Sequence, residues 1–162
     1  MTKQHDFKTL GQAVIETEMN AISALYKRLD ENFNQACNIM LSCKGRVVVL
    51  GMGKSGHIAS KVAATLASTG TPAFFVHPGE ASHGDLGMIT NHDVVYVISY
   101  SGKTPEILTL LPLIKRLNVP MIAITGNPES EIAKFSTVHL DASVKKEACP
   151  HNLAPTASTT TA

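Results

Sequence analysis

The sequence predicts an α/β fold, a three-layer α-β-α sandwich around a five-stranded parallel sheet. Three observations carry this. Five short apolar runs, at 46–51, 72–77, 94–99, 120–125 and 137–143, alternate with stretches of helical spacing. Runs such as RVVVLG and VVYVIS are apolar without a break, which suits strands covered on both faces. Strands alternating with helices imply crossover connections, and these are right-handed and give a parallel sheet.

Taken in order, Leu10, Val14, Ile22, Leu25, Leu29 and Phe33 recur at helical spacing and predict helices over 8–30 and 31–43. RVVVLG (46–51) is the first strand, ended by glycine. A glycine-rich turn leads into a helix over 55–68, and PAFFVH (72–77) is the second strand. HPGEASHGDLGMIT (77–90) reads as a loop with room for a short helix. VVYVIS (94–99) is the third strand, SYSGKTPE a second polar turn, and 104–117 a helix. Pro105 falls in its first turn, where the missing N–H costs little, whereas Pro112 lies deeper and is expected to kink or split it. PMIAIT (120–125), a short helix over 129–135 and TVHLDAS (137–143) complete the pattern. Without an internal repeat or a linker, one domain is expected.

The 162 residues are 44% apolar and 17% charged, with a net charge of +1, the profile of a globular chain with a real core. No basic patch suggests nucleic acid, and no acidic tract suggests a solvating tail. Cys37, Cys43 and Cys149 form an odd set without C-x-x-C, so reduced thiols in a cytoplasmic protein are expected. The N-terminus has no apolar signal core, and no run reaches the length of a membrane span. The chain stops at PTASTTTA, which suits the start of a helix with none after it.

In open α/β sheets, ligands sit beyond the carboxyl ends of the strands. Four segments are expected there: GMGKSG (51–56), HPGEASHGD (77–85), SYSGKT (99–104) and the stretch from KKEACP (145–150) onward. GMGKSG satisfies G-x-G-x-x-G, but a dinucleotide site also wants an acid at the end of the second strand, which here ends in His77. A P-loop would need glycine at position 48, which is Val48. What remains is a glycine turn opening a helix, whose amides and positive helix end suit a phosphate, with Ser55 among the ligand-facing residues. SYSGKT repeats the device with hydroxyls. Ser99, Ser101 and Thr104 cluster around Gly102 and can surround a phosphate with little positive charge. Helix capping by Ser101 or Thr104 is the structural alternative, and three hydroxyls in one turn favour a ligand.

The combination GMGKSGHIASKVAATLASTGTPAFFVHPGEASHGDLGMI, SYSGKTPE and KKEACPHNLAPTASTTTA resembles the sugar isomerase (SIS) domain, and within it the arabinose 5-phosphate isomerases. The signature S-x-S-G-x-T-x-E stands at Ser99 to Glu106. The resemblance runs from about Lys44 to the end, and the N-terminal helices fit it. It implies interconversion of D-ribulose 5-phosphate and D-arabinose 5-phosphate, supplying the Kdo sugar of lipopolysaccharide. It also implies a homo-tetramer or dimer with active sites at subunit boundaries. By position, it implies catalytic importance for Lys54, Glu106 and Glu147, and substrate contact by His83. Gly70 and Thr71 would line the sugar site, and Ser158, Thr159 and Thr160 would join Ser99, Ser101 and Thr104 around the phosphate. His77 matches a position associated with metal, so zinc could bind there, although the reaction requires no cofactor. A further family histidine and a pair of CBS domains would lie beyond residue 162, so residues 1–162 are expected to be a phosphosugar-binding domain truncated at its C-terminus, with little activity of its own.

Such an isomerisation needs a base beside the carbonyl, a donor or cation for the enediolate oxygen, and a proton returned to the neighbouring carbon. A carboxylate serves as base when desolvation raises its pKa. Glu106 and Glu147 are both candidates, and the sequence does not rank them; the alternative for each is a solvated surface acid or an acid in the first turn of a helix. Lys54 could polarise the carbonyl, or be exposed, or sit in a buried ion pair. His83 could open the sugar ring or shuttle a proton, or bond to backbone in an ordinary Gly84-Asp85 turn. Spacing does not show that His77, His83 and His139 converge. The alternative from another class is a sugar-phosphate sensor without turnover, which the joint presence of Lys54, His83, Glu106 and Glu147 disfavours.

Overall fold

A computed structural model describes residues 6–82 and 84–162. Two helices precede the sheet, α1 (Phe7–Leu25) and α2 (Glu31–Ser42). They are separate because Asp30 breaks the helical run and caps the second, its side chain accepting from Asn32 N at 2.9 Å. The strands are β1 (Val47–Gly51), β2 (Ala73–Val76), β3 (Val94–Ile98), β4 (Met121–Thr125) and β5 (Val138–Asp141), all parallel in the order β2-β1-β3-β4-β5. Helix α3 (Gly53–Ser68) links β1 to β2, and α5 (Pro105–Leu117) links β3 to β4. Between β2 and β3 lie the short α4 (Pro78–Ser82) and a 3-10 turn at Asp85–Met88. The short α6 (Glu131–Phe135) precedes β5, and α7 (Ala157–Thr161) ends the chain.

The unbroken apolar runs of β1 and β3 are explained by two cores. Val48, Leu50, Val95 and Val97 face α5 on one side, with Ile107, Leu110 and Ile114. Val47, Val49 and Ile98 face α3 on the other, with Ala59 and Ala63. Ala36 of α2 packs on this second face, against Val94, Ile122 and Val138. The first four residues of β1, Val47 to Leu50, are 0% exposed, as a strand covered on both faces requires.

Two expectations need correction. Helix α3 begins at Gly53 rather than 55. Pro112 does not split α5, which runs through it; the residue is exposed, so the carbonyl it leaves without a partner can turn to water. The polar C-terminal run, suited by its sequence to the start of a helix, forms the short α7, with Ala157, Ser158 and Thr161 buried.

Helix α1 differs from an ordinary surface helix. Of its residues only Ala21 is buried, while Leu10, Val14, Met19, Ile22 and the following Tyr26 are exposed. Its main packing partner is α7. An exposed apolar face of this length marks an interaction surface.

Candidate active site

The strand order places the site. From β1 the chain moves outward to β2, then crosses back to β3 on the other side and continues to β4 and β5. The topological switch point therefore lies between β1 and β3, whose carboxyl ends sit side by side with Gly51 paired to Ile98. Both corners expected to hold ligand leave from these two ends.

At the first corner, α3 is packed directly on the end of β1. A Cβ at Gly51 would fall 2.7 Å from the Ser55 carbonyl oxygen, and one at Gly56 would fall 2.9 Å from that of Gly51. Met52 at the N-cap offers no side-chain bond, so the first-turn amides of α3 remain for an anion. Lys54 is exposed and belongs to none of the ion pairs among the described residues, which removes the buried-pair alternative.

At the second corner, Ser99 is buried and its Oγ lies 2.7 Å from Thr104 Oγ1, so these hydroxyls are held as a pair. Ser101 is exposed, and its Oγ accepts from Lys103 N at 3.2 Å. Neither Ser101 nor Thr104 caps α5: no side-chain cap bond is present, and Pro105 fills the first turn. Glu106 follows in that turn, half-buried, where a carboxylate is favoured by the helix dipole.

The third wall comes from the segment after β5. Glu147 Oε2 accepts from Thr156 N at 2.8 Å, Thr156 Oγ1 at 2.9 Å and Ser158 N at 3.2 Å. It supplies the charge at the start of α7 that Thr156 itself does not. Burial pushes the Glu147 carboxyl up, but the Ser158 and Thr156 groups outweigh it and hold it below the ordinary carboxylate value. The expected upward shift of a general base is thus reversed at Glu147. The Ser158 hydroxyl is buried close to this carboxylate and makes no hydrogen bond of normal geometry among the described residues. Buried hydroxyls are seldom left so.

These walls enclose two adjoining hollows. A narrow crevice is lined by Ser55, Tyr100, Thr125, Ser158 and Thr159, among others. A wider hollow beside it is lined by Tyr100, Ser101, Lys145, Lys146, Glu147 and Ser158. Tyr100 and Ser158 border both. The structure thereby brings together Ser55, Ser101, Glu147, Ser158 and Thr159. Ser99 and Thr104 stand behind Ser101 in the same turn, and Thr160, whose Oγ1 donates to Thr156 O, is exposed on α7.

Other expectations fall elsewhere. Gly70 and Thr71 follow the far end of α3 and precede β2, so within one chain they lie at the amino end of the sheet, opposite the corners. His77 is exposed at the carboxyl end of β2, its Nδ1 accepting from Gly79 N at 3.2 Å. His139 is on β5, at the other edge of the sheet, bonded to Thr125 Oγ1 at 2.9 Å. Burial holds its pKa below the ordinary histidine value. His77 and His139 therefore do not converge, and no group of three metal-ligating residues occurs among the described residues. His83 lies outside the described residues. Tyr100 and Thr125 were not expected. Tyr100 stands inside the hydroxyl-rich turn, but an aromatic between two serines carries no spacing signal of its own.

Comparison with known proteins agrees with this geometry. The model of the SIS domain matches residues 40–162. The arabinose 5-phosphate isomerase KdsD of Pseudomonas aeruginosa is 61% identical over 160 residues, 99% of this chain and 49% of the relative. KdsD of Escherichia coli K12 is 58% identical over 155 residues, 96% of this chain and 47% of the relative. The chain thus spans about half the length of these curated relatives. The solved structure of E. coli CFT073 c3406 in complex with arabinose 5-phosphate superposes with a TM-score of 0.92 at 41% identity, covering 99% of this chain and 85% of that one. No helix among the described residues is long and apolar enough to cross a membrane. With the family model matched over residues 40–162, and with the five-stranded parallel sheet in place, the chain belongs to the SIS domain family.

Proposed function

We propose that this chain is the phosphosugar-binding domain of an aldose–ketose isomerase that interconverts D-ribulose 5-phosphate and D-arabinose 5-phosphate through an enediolate. The observation that carries the reading is the buried, unpartnered Ser158 hydroxyl, whose residue borders both hollows and lines one of them together with Ser101 of the second corner. The identity to arabinose 5-phosphate isomerases supplies the sugar.

In this reading the phosphate is held by Ser101, Ser158 and Thr159 with the first-turn amides of α3 near Ser55. Ser99, Thr104 and Thr160 shape the cradle. Glu106 is the base: Glu147 already accepts three hydrogen bonds at the head of α7 and is held below the ordinary carboxylate value. Glu106 takes a C1 proton from ribulose 5-phosphate, the electrons of that C–H bond form the C1=C2 bond, and the C2 carbonyl π electrons move to O2, giving an enediolate that Lys54 stabilises. The O1 hydroxyl proton passes to O2, and as the O1 electrons close the C1 carbonyl a proton returned to C2 gives arabinose 5-phosphate. His83 assists ring opening or proton return. Gly70, Thr71 and His77 reach substrate only across a subunit boundary, and zinc at His77 is no part of the reaction. The product feeds Kdo and lipopolysaccharide synthesis, and the free thiols suit the cytoplasm.

Self-association through the apolar face of α1 supports such shared sites. Replacing Leu10 and Ile22 by lysine is expected to lower the mass of the full-length protein measured by light scattering; an unchanged mass sinks that assignment.

The function is tested by incubating full-length protein with ribulose 5-phosphate in deuterium oxide. Arabinose 5-phosphate carrying deuterium at C2 is expected. Tight binding without exchange would instead identify a sensor.

A further inference from the structure

Tyr100 is the side chain that joins the phosphate corner to the wall opposite. Its ring is fixed from below: a Cβ at Gly126 would fall 2.5 Å from Cε2, and Gly126 N donates to Tyr100 O at 2.8 Å. Its phenol oxygen accepts from Val144 N at 3.1 Å. That is the only hydrogen bond between residues 99–104 and residues 144–147 among the described residues. Three residues further along, Glu147 holds Thr156 and Ser158 at the head of α7. The chain of contacts therefore runs from the corner through Tyr100 to the Lys145–Glu147 wall and on to the Ser158 amide. Tyr100 also borders both hollows.

We propose that Tyr100 is a positioning residue for the bound sugar phosphate: its phenol latches the 144–147 segment to the Ser99–Thr104 corner and so sets the width of the hollow. This rests on the sugar-phosphate reading of that corner. A single neutral hydrogen bond is expected to be worth about three- to tenfold in affinity. Because Tyr100 acts through the wall and Glu106 stands on another element, the loss falls on KM and not on kcat.

Tyr100→Phe in the full-length protein keeps the ring on Gly126 and removes only the hydroxyl. The variant is expected to keep the parent's melting midpoint within a few degrees. Amide exchange at Val144 should accelerate, and KM for ribulose 5-phosphate should rise about three- to tenfold with kcat within about twofold. Faster exchange at Val144 with unchanged KM overturns the positioning role. A raised KM with unchanged exchange overturns the latch and makes Tyr100 a direct contact. A parent protein that neither binds nor converts ribulose 5-phosphate overturns the underlying reading, and the positioning role with it; that outcome is distinct because it appears before any variant is made.

Discussion

Replacing Gly102 by alanine is expected to lower the stability of the domain by about 2–4 kcal/mol and to abolish tight phosphosugar binding. Two independent costs meet at this residue. Its φ is +62°, a conformation that a side chain disfavours. A Cβ there would also lie 2.0 Å from Ser130 Oγ and 2.4 Å from Ser130 Cβ. Ser130 cannot step aside: it is 0% exposed, and its Oγ caps α6 by accepting from Ala133 N at 3.3 Å. The corner is also tied to α6 by Ile132 N, which donates to Gly102 O at 3.2 Å. The strain must therefore displace the turn that carries Ser99, Ser101 and Thr104. For a domain of this size the melting midpoint should fall by about 5–12 °C. Calorimetry and ribulose 5-phosphate titration of parent and variant check both effects. Adding Ser130→Gly should recover part of the stability, since it removes the clash and leaves the φ penalty and a lost cap. A Gly102→Ala protein that melts with the parent would show that the turn yields freely.

The legibility of this chain divides along physical lines. The sheet could be read because burial on both faces leaves a plain mark: Val47 to Leu50 must all be apolar when α3 and α5 cover opposite sides. The two corners could be read because a close approach and a positive φ demand glycine at fixed positions, as at Gly51, Gly56 and Gly102. Which residues share a pocket was less legible. Gly70 and Thr71 lie only fifteen or so residues beyond the first corner, yet a helix of α3's length carries them to the other end of the sheet. Glu147 illustrates the hardest case. Its acidic side chain is visible in the sequence, but the sign of its pKa shift depends on the Thr156 and Ser158 groups, which reach it only after the loop closes. Pro112 misled because the penalty for an interior proline depends on whether the carbonyl it strands is buried or wet.

Separating Glu106 from Glu147 is the second test with a large effect. Glu106→Gln in the full-length protein should lower kcat by about 10²- to 10⁴-fold, the usual contribution of a general base, and leave melting unchanged. Glu147→Gln should behave in the opposite way. It replaces an anion that accepts three hydrogen bonds at the head of α7 by a neutral group, at a cost of about 2 kcal/mol. Affinity should fall because Ser158 loses its fixed place. The pH dependence follows from the direction of the shift. The folded carboxyl lies below its ordinary value of 4.5, so the stabilisation it gives is complete above that value and disappears as pH falls through the lower folded one. The amide resonances of Thr156 and Ser158 should therefore titrate with a midpoint below 4.5 in the parent and stay flat in Glu147→Gln. If Glu147→Gln abolishes turnover while these resonances and the melting midpoint hold still, and Glu106→Gln remains active, then the two carboxylates exchange roles and the base stands on the α7 side of the pocket.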